Sequence, residues 1–290
     1  MKKIIINNLL ISFTEFKGEA NQTLLFLHGW RSSKEVWNEV IKNITSPARI
    51  APQSVAGRPS PSYNKEGNYS VYAIDLPGFG GSSLTPPLPS PSLLRQGYGG
   101  QARGGNSAGM SVGDYAEVVK GFIEKLELKN VIIVGHSFGG RVGIKLASKY
   151  PGIICKLVLV DSAGFAIRSS RKNLMGIVAK LVKPFFLPKF MQGLRRKIYK
   201  FIGADDYVAT PWLTETFIKI KNEDLSEDMK KINTPTLIIS GENDLDTPVE
   251  FGERMHKLVP SSKFQVIKNA GHFSFLDKPE EFVKILNKFI

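Results

Sequence analysis

The sequence predicts an α/β protein built on an eight-stranded, mostly parallel sheet flanked by helices. Three observations predict it: apolar runs of strand length recur along the chain, helix-start signals stand between most of the later ones, and one long helical stretch carries no strand. The runs cover 3–6, 9–13, 23–27, 70–74, 130–134, 156–160, 236–240 and 264–267. Helix starts are signalled by Ser32 with Glu35, by Ser111 with Asp114, by Thr247 ahead of Pro248 and Glu250, and by Pro279 with Glu280 and Glu281. Strands alternating with helices give parallel neighbours with helices on both faces. The strandless stretch 164–232 falls between the sixth and seventh runs and reads as a helical lid, leaving 1–163 and 233–290 as the core.

Composition narrows the class further. With 290 residues, 42% hydrophobic and 22% charged, the chain can bury a large core, and a disordered chain is excluded. No run reaches the roughly 18 apolar residues of a membrane span. Met1-Lys2-Lys3 is followed by only Ile4-Ile5-Ile6 before Asn7-Asn8, too little for a secretion signal, so a cytoplasmic protein is expected. Cys155 is the sole cysteine, which rules out an internal disulfide and a Cys/His zinc site, and its apolar surroundings predict buried filler.

The 39 basic and 26 acidic residues leave a net charge of +13. Much of the excess lies in 165–200, where ten Lys or Arg, among them Arg171, Lys180 and Arg196, alternate with apolar stretches and no acid occurs. That pattern predicts a lysine-solvated helical surface rather than a nucleic-acid site, and it allows weak contact with an anionic membrane surface. Two segments interrupt the scaffold: 46–68 with Pro47, Pro52, Pro59 and Pro61, and 86–109 with four prolines followed by six glycines. Both are expected to be flexible insertions, because each is longer than compact domains usually carry as a loop.

In such a sheet the chemistry is expected just beyond the carboxyl ends of the strands. The fifth run leads into Gly135-His136-Ser137-Phe138-Gly139, a G-x-S-x-G spacing in which glycines let the backbone turn sharply under a raised serine hydroxyl. Gly109-Met110-Ser111-Val112-Gly113 repeats the spacing, but no strand precedes it, and Ser111 fits a helix cap better. A serine needs a base, and of His28, His136, His256 and His272 only His272 follows a strand on a loop at the right edge. The imidazole in turn needs a carboxylate. Asp244, on the loop after the seventh run, is assigned ahead of Glu242 and Asp246, and Asp161 after the sixth run is the main rival.

The order Ser137, Asp244, His272 resembles the α/β-hydrolase superfamily, more narrowly its lid-bearing, single-domain serine esterase-like branch. His28-Gly29-Trp30 is similar to that family's oxyanion loop, and Asp75-Leu76-Pro77-Gly78-Phe79-Gly80-Gly81-Ser82 to its D-x-x-G-x-G-x-S turn. The resemblance implies an α/β-hydrolase fold, oxyanion donation by the backbone N–H groups of Trp30 and Phe138, and two-step acyl transfer from an ester-type small molecule with no metal or organic cofactor. Phe185, Phe186, Phe190, Trp212 and Phe273 are the candidate substrate-binding side chains. Two alternatives stand beside this reading. One is the family's C–C bond hydrolases, whose HG-x-G-P-G-A-type loop is replaced here by His28-Gly29-Trp30-Arg31-Ser32-Ser33, and whose frequent Trp after the histidine is replaced by Phe273. The other is a hydrolase-fold sensor that binds a ligand with little turnover. The oligomeric state is left open.

Overall fold

Asn7 and Asn8 both adopt left-handed backbone, with φ of 46° and 64°, the conformation that a two-residue hairpin turn demands. In the computed structural model, which describes residues 1–18, 21–45, 69–84, 109–166 and 213–290, this turn joins β1 (Lys2–Ile6) to β2 (Leu9–Phe16). The two pair antiparallel with Ile6 opposite Leu9. The other strands are β3 (Thr23–Leu27), β4 (Ser70–Ile74), β5 (Val131–His136), β6 (Lys156–Val160), β7 (Thr236–Gly241) and β8 (Ser262–Ile267). All eight form one sheet in the order β1-β2-β4-β3-β5-β6-β7-β8. β2 meets β4 antiparallel, and every pair from β4 to β8 is parallel.

The described helices of eight or more residues are α1 (Asn38–Thr45), α2 (Val112–Lys125), α3 (Phe138–Lys149), α4 (Thr214–Asn222), α6 (Val249–Leu258) and α8 (Pro279–Phe289), with single turns at α5 (Ser226–Met229) and α7 (Ser274–Asp277). β3, β5 and β7 are buried along their whole length, as strands covered on both faces must be. Alternate residues Leu24 and Phe26, Ile132 and Val134, Val158 and Val160, and Leu237 and Ile239 share one core with Val40 and Ile44 of α1 and Phe282 and Leu286 of α8. Trp37 and Phe275 stack at that core's centre, with ring centroids 4.2 Å apart.

Two helix starts differ from expectation. Glu35 lies not in an α-helix capped by Ser32 but in a 3-10 turn, Lys34–Trp37, whose cap position is Ser33 and whose backbone N–H groups receive no capping bond from the Ser33 side chain. Pro248 occupies the cap of α6 rather than its first turn, and the Thr247 hydroxyl is engaged with the Asp244 carboxylate instead.

Backbone contacts divide the described residues into two units. The larger contains the sheet and runs on from Leu225, whose N–H donates to Gly164 O at 2.9 Å. The smaller comprises residues 109–111, 166 and 213–224, where Met110 N–H donates to Thr216 Oγ1 at 3.0 Å and Lys219 Nζ to Gly109 O at 2.6 Å. Residues 46–68, 86–108 and 167–212 lie outside the described residues, and with them Phe185, Phe186, Phe190, Trp212 and most of the basic stretch. Among the described residues no helix is long and apolar enough to cross a membrane.

Candidate active site

β5 and α3 are joined by a single residue, Ser137, held at φ 50° and ψ −108°. For a residue with a side chain that conformation costs on the order of 1–3 kcal/mol and persists only where its neighbours enforce it. Here they do. Ser137 N–H donates to Val160 O at 3.0 Å, and Ser137 O accepts from Gly140 N–H at 3.1 Å and from Arg141 and Ala163 N–H, each at 3.3 Å. Gly139 permits the turn because a Cβ there would stand only 2.8 Å from the His28 carbonyl oxygen. Gly29 lets the loop after β3 lie directly against this turn, since a Cβ on it would fall 3.3 Å from Ser137 Cβ and 2.8 Å from His136 Nδ1.

His272 stands on the loop after β8, and its Nδ1 meets Asp244 Oδ2 at 2.9 Å. Asp244 is buried, and its Oδ1 accepts the N–H groups of Asp246 at 2.8 Å and Thr247 at 3.0 Å. Thr247 Oγ1 lies 2.7 Å from Asp244 Oδ2, 3.0 Å from Asp161 O and 3.3 Å from His272 Nδ1. Burial opposes the charge on both partners, yet the bond between them prevails: His272 is raised above its ordinary value and Asp244 is lowered.

Asp161, the rival carboxylate, does not contact the imidazole. It sits at φ 44° just past β6, fully buried, with Oδ1 accepting Gly241 N–H at 2.8 Å and Oδ2 accepting Ser274 N–H at 3.0 Å and its hydroxyl at 2.7 Å. Burial pushes its carboxyl up to about 7 against those three donors. Sequence reasoning set aside the other histidines, and the structure explains why they differ from His272. His28 is buried, with Nδ1–H donating to Gly29 O at 2.7 Å and Nε2 accepting Leu76 N–H at 3.0 Å; burial lowers it to about 4. His136 donates from Nε2 to His272 O at 2.7 Å and is lowered to about 3 by burial and by the neighbouring His272 charge. His256 is exposed on α6, its Nδ1 2.8 Å from Ser262 Oγ.

Below the His28-Gly29-Trp30 loop lies an ion pair that the sequence reading missed. Buried Lys34 reaches buried Asp75 with Nζ at 2.7 Å from Oδ2 and its backbone N–H at 2.8 Å from Oδ1, while Gly81 N–H completes the carboxylate at 2.9 Å. The signal was present in part, since Asp75 opens the Gly-rich turn, but Lys34 is 41 residues away and nothing local in the sequence connects the two. Trp30 packs edge-on against Phe79 and Phe138, at 5.0 and 5.5 Å between centroids. Phe273, partly exposed, packs its ring 4.9 Å from that of His136 and 5.5 Å from that of His272. Asp244, Asp246 and His272 also lie close enough together to face one ion, but the Asp244 oxygens are already taken up by His272, Thr247 and backbone donors.

A sheet parallel from β4 to β8, with a serine in left-handed backbone just past β5 and a histidine–carboxylate contact between the segments that follow β8 and β7, has the layout of the α/β enzymes that work at a sheet's carboxyl edge. More narrowly, the chain belongs to the Alpha/beta hydrolase family, whose profile it matches over residues 24–285. It is 24% identical over 307 residues to the uncharacterized hydrolase YugF of Bacillus subtilis, covering 100% of this chain and 97% of that protein. It is 22% identical over 292 residues to a 2-hydroxy-6-oxononadienedioate/2-hydroxy-6-oxononatrienedioate hydrolase of a Pseudomonas species, covering 94% of this chain and 89% of that one. Among solved structures its fold is similar to an esterase from Exiguobacterium antarcticum, with a TM-score of 0.67, 21% identity and coverage of 99% and 98%.

Proposed function

We propose that the protein is a serine hydrolase that cleaves small or medium ester-type substrates through an acyl-enzyme. The observation that carries this reading is the His272 Nδ1 contact with buried Asp244 Oδ2 at 2.9 Å, set beside a serine held in left-handed backbone at the start of α3. In this mechanism His272 takes the Ser137 proton through Nε2 while Asp244 fixes the Nδ1–H tautomer and stabilises the imidazolium. The freed oxygen attacks the substrate carbonyl. Phe138 is the first residue of α3, where a helix leaves its N–H without an internal acceptor, and with the N–H of Trp30 it is assigned to the oxyanion. His272 then returns its proton to the departing alkoxide, and water, activated by the same imidazole, releases the acid. The substrate-facing role of Phe273 rests on its partial exposure beside His272.

Ser137→Ala tests the reading, because it removes only the hydroxyl. Turnover of p-nitrophenyl acetate or butyrate is expected to fall by about a million-fold. Fluorophosphonate labelling is expected to vanish while the melting temperature holds. Label that persists and maps to Ser111 assigns the nucleophile wrongly, and one slow acylation of the wild-type chain without turnover favours a ligand sensor.

A further inference from the structure

His136 is buried to 1% exposure, so the bonds its ring makes must be inside the protein. The ring makes one: Nε2–H to the carbonyl oxygen of His272, 2.7 Å away. Nδ1 is buried without a hydrogen-bond partner and faces Gly29, where any side chain would collide with it. The ring is wedged among Phe273, Phe275 and His272, with centroids 4.9, 5.1 and 4.8 Å away. It therefore has a single orientation and tautomer, with its one ring proton on Nε2 committed to the His272 carbonyl.

The backbone adds the decisive connection. His136 is the last residue of β5 and the peptide neighbour of Ser137, while the group it holds is the backbone of His272 itself. One hydrogen bond thus links the serine turn to the histidine loop. The same loop is fastened on either side of that bond, by Gly271 N–H to Asp277 Oδ2 at 2.7 Å and by Ser274 to Asp161; the second reaches Ser137 only indirectly, through Val160, whose carbonyl accepts the Ser137 N–H, whereas the His136 bond acts on the peptide neighbour of Ser137 and on the backbone of His272 itself. We propose that His136 is a positioning residue: its Nε2–H bond to the His272 carbonyl sets the distance between Ser137 and the His272 imidazole. The inference rests on the reading of Ser137 and His272 as nucleophile and base.

The test compares side chains that keep or lose the donor. His136→Gln carries an amide nitrogen at the reach of Nε2, His136→Phe keeps the ring shape without a donor, and His136→Leu is a second donor-free variant. Each is treated with a fluorophosphonate, and the maximal rate of Ser137 modification is separated from the probe's apparent affinity, with melting temperature measured alongside. His136→Phe is expected to react about 10- to 100-fold more slowly at saturating probe with affinity within about twofold, whereas His136→Gln stays within about threefold of wild type. Equal rates for the Phe and Gln variants overturn the proposal. If the Phe variant does not fold, the Leu variant takes its place, and if neither folds while Gln does, His136 serves folding and the proposal falls. A wild-type chain that takes no label at Ser137 fails the underlying reading instead.

Discussion

Asp161 and Asp244 follow neighbouring strands and are both buried, but only Asp244 touches His272. Asp244→Asn is therefore expected to lower kcat by roughly ten-thousand-fold, the effect of a histidine held in the wrong tautomer, and Asp161→Asn to cost far less. The reverse order in a steady-state assay moves the acid to the loop after β6. The pH profile follows from the same contact. Burial disfavours the charged imidazole, but the Asp244 carboxylate outweighs it, so His272 protonates above its usual 6.5. If His272 is the base it must be neutral, so kcat/KM is expected to rise with pH through a midpoint above 6.5, and in Asp244→Asn the midpoint moves down, because burial is then opposed only by the more distant Asp246 and Asp161 charges. A midpoint unmoved by that substitution argues against the pairing. His136, lowered to about 3, contributes nothing to this limb. Ser137 and His272 could be singled out in the sequence because their cues are local: a glycine spacing after an apolar run, a histidine just past another. The roles of Asp161, Thr247 and His136 could not, since each depends on a partner brought in by folding, 136 residues away in the case of His136 and His272.

Among the elements, the 3-10 turn Lys34–Trp37 shows tertiary structure displacing a local rule. Ser32 and Glu35 have the spacing of a self-capping helix start, but the Asp75 carboxylate, arriving from the turn after β4, accepts the Lys34 N–H and so does the work of the cap. Lys34 Nζ on the same carboxylate closes a buried pair. Lys34→Met is expected to destabilise the fold by about 3 kcal/mol, since it leaves a buried carboxylate with only backbone N–H partners, and urea denaturation reads this as a lower midpoint with an unchanged slope. A midpoint that does not move means the pair adds nothing beyond its burial. The same rule explains Pro248, for Thr247 is drawn to Asp244 and leaves the helix cap to its neighbour.

On the scale of the whole molecule, all eight strands are legible as apolar runs, whereas their order is not, because parallel neighbours pair across long stretches of sequence. The described residues that flank 46–68 are the end of α1 and the start of β4, and the start of β4 lies at the sheet edge opposite the ends of β5, β7 and β8 from which Ser137, Asp244 and His272 follow. Replacing 46–68 with a short turn is expected to leave the fluorophosphonate rate within about threefold and the melting temperature unchanged or higher, because loop closure changes by only about 0.6 kcal/mol per doubling of length. A large fall in rate means that segment reaches the chemistry. The sheet order also governs how the chain must be made. β3 lies between β4 and β5, and Leu27, its last residue, is paired on both sides only once Gly135 has been synthesised. At about 5–20 residues per second, a growing chain carries this strand, apolar but for Thr23, with an open side for on the order of ten seconds, a window in which its free edge is exposed to wrong pairing.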